Sequence, residues 1–424
     1  MASSAQLPLL EVPVPDSELD RCLTALDRFL GLLGFRQHSL LSATASWLAF
    51  FLLAVALPLS VIEFSRCDGC DKYEIETFEV QITVSQAVVA AVSLLCLSRN
   101  LRKYGVRKAL FVDRCHGHTA QFRKLYIQKI RGFYYMLATW FGVCFLLKAA
   151  REVARLIFIN HGSWWLSTVL FLASLISWSY ATLVFLSGCA LFNLAGNLLI
   201  IHFENYGKIL ERDLDVSVYI EEHMSLTHDL SKISHRFRIF LLLEFLFITA
   251  SQFMALLQTT ENQGIINIVN AGDFAVLSIV QLVGMVLFLS AAAKMSHRAI
   301  SLGSIASRWH ALVTCNSNDV SGSGILDNGG NTESCPPVGS LPAALSESDL
   351  ESSDYMPLAA SLQPVSSTSS YNRRQAFVVY VQSNTGGFTI FGWMVDRILI
   401  NTIFFIHLSL VFFVLGKTVT ITIR

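Results

Sequence analysis

The sequence predicts an all-α membrane protein: seven transmembrane helices, a cytosolic N-terminus and an extracellular C-terminus. Three observations carry that prediction. Charged residues make up 15% of the 424-residue chain and hydrophobic ones 53%, whereas soluble domains carry about 25% charged residues. Seven apolar stretches, at residues 43–64, 78–98, 132–151, 165–194, 239–259, 266–293 and 398–416, are each long enough to cross a bilayer as a helix. Finally, Lys and Arg are segregated. The N-terminal segment and the loops 99–131, 195–238 and 294–397 hold 24 of them, and the other connections and the C-terminal tail hold 7. Positive charge marks the cytosolic side.

In chain order, residues 1–42 form a cytosolic N-terminal segment. They carry no secretory h-region, so the first apolar span is expected to act as its own signal. Within them, Leu19, Leu23, Leu26, Leu30 and Leu33 recur at alternating spacings of four and three, which predicts an amphipathic helix over residues 16–35 on the membrane surface or under the bundle. Residues 43–312 hold the first six spans. Helices four and five are expected to extend into the cytosol and pack there, because Leu226, Leu230, Ile233 and Phe237 continue a helical seam past the membrane. Loop 99–131 carries ten bases and one acid, which suits an ordinary positive-inside loop or a surface for anionic lipid head groups.

Residues 313–373 are rich in Ser, Gly, Asn and Pro and predict a disordered cytosolic loop. Residues 374–424 form the closing unit. Gln375–Gln382 (QAFVVYVQ) and Gly386-Gly387 predict an extended segment or hairpin, followed by the last span. That span is free of Asp, Glu, Lys, Arg and Pro, and Ile398, Thr402, Phe405, Ser409, Phe412 and Gly416 share one of its faces. Such a stripe of small, hydroxylated and aromatic residues packs on other helices or lines a pathway.

The inside N-terminus excludes the topology of G-protein-coupled receptors. Catalytic motifs are absent, so no enzyme is expected, and no cofactor either. The bases are accounted for by membrane topology, and no nucleic-acid partner is expected. Cys115-His116-Gly117-His118 lacks a second ligand cluster for a metal. Cys67 and Cys70 lie in an extracellular loop, where they can form a local disulfide or pair with a neighbour. Ionisable groups within spans are functional candidates. Lys148 and Asp273 lie at similar depth near the outer ends of helices three and six and are expected to pair across an outward-facing cavity. Gln86, Trp178, Tyr180 and Gln252 are candidates for the same pocket. Glu244 is expected to meet Arg236 or Arg238 at the inner interface.

Phe388-Thr389-Ile390-Phe391-Gly392-Trp393, Asp396-Arg397 and the span 398–416 resemble the end of insect gustatory and odorant receptors. The whole chain is similar to their plant gustatory-receptor-like relatives. That resemblance implies a plasma-membrane homotetramer whose last helix lines a central pore, with a pocket among helices two to six for a small organic ligand. It places Gly392 and Asp396 at the turn before the pore helix, and Thr402, Phe405, Ser409, Phe412 and Gly416 along the pore. A ring of four Phe412 side chains would gate by dewetting. Here the chain departs from the insect pattern, with Leu408-Ser409 and Gly416-Lys417 at the signature depths, and four copies of Lys417 at the outer mouth would repel cations. The leading expectation is a ligand-gated ion channel subunit. The alternative is a non-conducting seven-helix receptor or scaffold signalling through its cytosolic loops.

Overall fold

The computed structural model describes residues 17–64, 73–110, 119–158, 164–210, 215–261, 268–321 and 367–423, which are nearly all helical. The first helix, α1 (Ser17–Leu32), buries Leu19, Leu23, Leu26 and Leu30 along one stripe. It packs on two longer helices, α3 (Tyr73–Ala109) and α4 (Thr119–Phe158). Exposed pairs Asp20–Arg107 and Glu18–Arg131 flank that contact and add little beyond the apolar burial. Gly34 then takes φ 90°, open only to glycine at low cost, and ends the helix. Phe35 N–H donates back to the Leu30 carbonyl at 3.0 Å.

Helix α2 (Leu40–Phe64) starts on Ser39, whose hydroxyl caps the Ser42 N–H at 3.1 Å. Pro58 has no N–H to return to the carbonyl four residues earlier. The helix widens into a π turn over Leu52–Ala56 immediately before it. Helices α5 (Trp164–Ile209), α6 (Val216–Glu261) and α7 (Ile268–Ser321) complete the bundle. Among the described residues six helices, α2 to α7, are long and apolar enough to cross a membrane.

The bundle is organised around α7 and α5. In the most apolar stretch of α7, 72% of residues are buried, against 17% in α2, so α7 is central and α2 peripheral. Small residues make the close packing possible. Gly188 lies against Ser93 of α3, Gly196 against Met295 of α7, and Gly284 of α7 beneath the Phe185 ring. The seam Leu226, Leu230, Ile233 and Phe237 is buried where α6 extends past its most apolar stretch. An aromatic cluster sits nearby: Tyr219 and Trp309 pack against Phe377, and His223 against Tyr380.

The structure corrects the sequence reading near the C-terminus. Residues 375–382 are not extended: they lie in helix α8 (Ser367–Ser383). Their β-branched composition favours a strand, but Phe377, Val378 and Val381 at helical spacing are buried against α6 and α7, and that burial outweighs intrinsic propensity. The hairpin comes later, as β1 (Thr389–Ile390) and β2 (Trp393–Met394), antiparallel with Thr389 opposite Met394. Helix α7 also continues to Ser321 and α8 begins at Ser367, so both ends of the expected disordered loop are helical, and the rest of it, 322–366, lies outside the described residues. The last helix, α9 (Arg397–Ile423), packs on α6 and α7.

Candidate functional site

At the end of the bundle opposite α1, the start of α3 and the end of α4 meet α2, α5 and α7 around a cavity of about 60 Å³ accessible to the centre of a water molecule. That is room for a few waters. Its walls join an apolar side from α2, with Ala54, Pro58 and Val61, to a charged side. The α2 wall is shaped by the π turn, since Ala54 sits inside it and Pro58 just beyond it.

The charged side follows from helical spacing. Lys148, Arg151, Glu152 and Arg155 recur at three to four residues and so share one face of α4. Asp273 faces them from α7 and Glu79 from α3. Lys148 Nζ lies 2.7 Å from Glu152 Oε1 and 2.7 Å from Asp273 Oδ1. The Arg151 guanidinium contacts Asp273 and lies 2.7 Å from Glu152 Oε1. Ser174 of α5 donates to Glu152 at 3.2 Å. Glu79 is held more loosely, 3.5 Å from Arg151 and 3.6 Å from Arg155. Three carboxylates thus meet three cations, and the cluster is neutral. Buried charge persists only where each group has such partners, because desolvation otherwise dominates.

The structure brings some of the predicted pocket residues together and separates others. Lys148, Asp273, Gln86 and Trp178 line the cavity. Gln86 Nε2 donates to Thr182 Oγ1 at 2.8 Å, tying α3 to α5. Tyr180 does not line it: two residues on from Trp178, it leaves α5 about 200° around the axis. Its hydroxyl donates to the Leu33 carbonyl at 3.4 Å and its ring packs near Phe50. Gln252 is not in the cavity either. It belongs to a buried clasp between α6 and α7, donating to Gln281 Oε1 at 2.7 Å and accepting from Ser278 at 3.2 Å. The expected contact of Glu244 with Arg236 or Arg238 is also absent. Glu244 turns into the bundle and accepts from Ser93 Oγ at 2.6 Å, while Arg236 stacks on Tyr104 and Arg238 on Phe391. Sequence reading counted Arg151 and Arg155 only as topology markers and passed over Glu79 and Glu152. The signal was present in the spacing of residues 148–155.

Around α9, Phe391 (φ 48°) and Gly392 (φ 84°) are the two central residues of the β1–β2 turn, the pair of positive angles that a tight type I′ hairpin needs. Asp396 caps α9 by accepting the Leu399 N–H at 2.8 Å. Phe388, fully buried against Phe192, anchors the hairpin. On α9, His407 and Val411 are buried. His407 Nε2 lies 3.2 Å from Thr249 Oγ1 of α6. Thr402, Phe405, Ser409, Phe412 and Gly416 are all exposed. Lys417 lies within the helix, with its side chain outside the described residues, as are Cys67, Cys70, Cys115, His116 and His118. Among the described residues no group of three or more His, Cys, Asp or Glu side chains is arranged to hold a metal ion.

The fold matches solved structures of the insect olfactory receptor OR5 from Machilis hrabei. In complex with eugenol, that receptor aligns with a TM-score of 0.54 at 10% identity, over 95% of this chain and 100% of the receptor's. Another OR5 structure aligns with the same TM-score and identity, over 94% and 99%. At that identity the likeness is one of fold. No curated protein matches the sequence. Residues 21–406 match the family described as "Protein of unknown function (DUF3537)". That match runs from the first amphipathic helix into the last one, so the chain is a member of the DUF3537 family, built on an olfactory-receptor-like fold.

Proposed function

We propose that this protein is a chemoreceptor-like, ligand-gated channel subunit of the plasma membrane that works as a homotetramer. It binds a small molecule in the cavity among α2, α3, α4, α5 and α7, and it is not an enzyme. In this reading α9 is the seventh transmembrane helix. Its 27 residues span about 40 Å at 1.5 Å per residue, more than a bilayer core of about 30 Å. The N-terminus and the α1 end are cytosolic, and the cavity and the end of α9 face outward, following the segregation of Lys and Arg.

The observation that carries the reading is the two-sidedness of α9. One side, with His407 and Val411, is buried against the bundle, while Thr402, Phe405, Ser409, Phe412 and Gly416 stand exposed in the single chain. A hydroxyl-bearing stripe has little to gain from lipid and suits the axis of an oligomer. The solved OR5–eugenol complex adds that a protein of this fold takes a small organic ligand. A ligand that prefers the open state would shift the population toward it by its difference in affinity for the two states.

The test is expression of the full chain alone, with native mass measurement in detergent and current recording under a panel of small metabolites. The expected result is a tetramer with ligand-evoked current that Phe412→Ala renders leaky. A monomer that carries no current under any condition overturns the reading.

A further inference from the structure

We infer that the ligand of this cavity is a zwitterion, a small molecule bearing a carboxylate and an ammonium, as amino acids do. The inference rests on the receptor reading above and names its ligand class. Two independent features of the charged cluster lead to it.

The first is neutrality. Glu79, Glu152 and Asp273 balance Lys148, Arg151 and Arg155 in a compartment where all six side chains are 16% exposed or less. A ligand of net charge would leave one unbalanced charge in a poorly hydrated site, which is costly. A wholly apolar ligand would strip water from six charges and return no hydrogen bonds. A zwitterion supplies one partner of each sign and keeps the site neutral.

The second is that one acid is held differently from the others. Asp273 and Glu152 sit in direct contact with their cations at 2.7 Å. Glu79 lies 3.5 Å and 3.6 Å from the two arginines, beyond a good hydrogen bond. Glu79 and Arg155 are also the most exposed members, at 13% and 16%, against 4% and 5% for Glu152 and Arg151. The loosest ion pair is therefore at the mouth. An incoming carboxylate can take up the planar donors of Arg151 and Arg155 in the two-pronged manner guanidinium favours. Glu79, displaced by it, then accepts the ligand's ammonium. The two long contacts of Glu79, to Arg151 and Arg155, are exchanged for three contacts to the ligand, and the pairs of Lys148 with Glu152 and Asp273 are kept.

The test measures binding to the full chain in lipid nanodiscs by thermal shift and calorimetry. The probes are glycine and 4-aminobutyrate as zwitterions, acetate and methylammonium as their halves, and eugenol as an apolar comparison. The expected result is that at least one zwitterion binds tenfold or more tighter than either half and than eugenol. Arg155→Gln and Glu79→Gln should each weaken it at least tenfold while the protein keeps its elution volume and helical circular dichroism. Binding of acetate as tight as that of the zwitterions overturns the inference in favour of an anion site. Eugenol binding without zwitterion binding overturns it and leaves the receptor reading standing. Zwitterion binding unchanged in both variants places the ligand elsewhere and also overturns it. If no probe binds and no metabolite evokes a current, the inference and the receptor reading fall together.

Discussion

Asp273 shows how much one side chain holds. It accepts from both Lys148 and Arg151, which are otherwise shared with Glu152 and Glu79. Asp273→Ala leaves two buried cations short of a partner, and removing one partner of a buried pair costs about 3–5 kcal/mol. The expected outcome is a sharp fall in thermal stability in detergent. Replacing Lys148 and Asp273 together by Met and Leu should recover much of it, because no charge is then stranded; a double mutant no more stable than Asp273→Ala would contradict this account. Asp273 and Lys148 were legible as a pair from depth and sign alone. Their neighbours on α4 were legible in principle, from bases and an acid repeating every three to four residues. Glu79 was not, because nothing in the chain says which rotation α3 adopts about its own axis. Tyr180 and Gln252 went astray for the same reason: being at the right depth does not place a residue on the right face.

Among the secondary elements, the hairpin and the helix it feeds are governed by backbone geometry. Gly392 has open space where a Cβ would stand, yet its φ of 84° disfavours any L side chain. Gly392→Ala should therefore cost about 1–2 kcal/mol through backbone strain alone, and Gly392→Asn clearly less; equal costs for the two would point to packing instead. Removing the cap with Asp396→Ala should cost about 1 kcal/mol, read as fraying of the first turn of α9 by hydrogen exchange. The α5–α7 contact behaves differently. A Cβ on Gly284 would run into the Phe185 ring, so Gly284→Ala is expected to cost about 1–3 kcal/mol by overpacking. The paired change with Phe185→Leu should relieve it, measured by thermal unfolding. The sequence pattern put the hairpin turn at Gly386-Gly387, and the turn before the last helix at Gly392 and Asp396 came from family resemblance; the cap by Asp396 was not read, because a single aspartate does not say which backbone N–H it will meet. Helix α8 was not legible either, because Val, Tyr and Phe favour a strand until Tyr219 and Trp309 offer them one face to bury.

For the whole molecule, what matters is which surfaces remain once the chain has packed on itself. The lipid-facing helices expose Trp164, Trp165 and Tyr135, aromatic side chains suited to the membrane interface. Helix α9 exposes Thr402 and Ser409 together with Phe405 and Phe412 along one side. An epitope placed after Arg424 should be reached by antibody on intact cells, and one placed before Ser17 only after permeabilisation; the reverse pattern would overturn the topology and the channel with it. Phe412→Ala removes a ring that is 63% exposed in the single chain. Subunit stability should therefore change by no more than about 0.5 kcal/mol, and under the proposed channel reading any larger effect should appear in tetramer yield and gating.

The multi-pass helical class and the positions of its six long apolar helices were determined by the sequence by itself. A hydrophobic length and the lack of charge within it are properties of a local stretch, and they hold whatever that stretch later packs against. The tertiary structure alone decided that Glu79 of α3 and Glu152 of α4 join the Lys148–Asp273 pair, that Glu244 faces Ser93 instead of an arginine, and that QAFVVYVQ is a helix. Each of those outcomes depends on the rotation and partners of an element within the bundle, which are set by where small residues such as Gly188, Gly196 and Gly284 let helices approach.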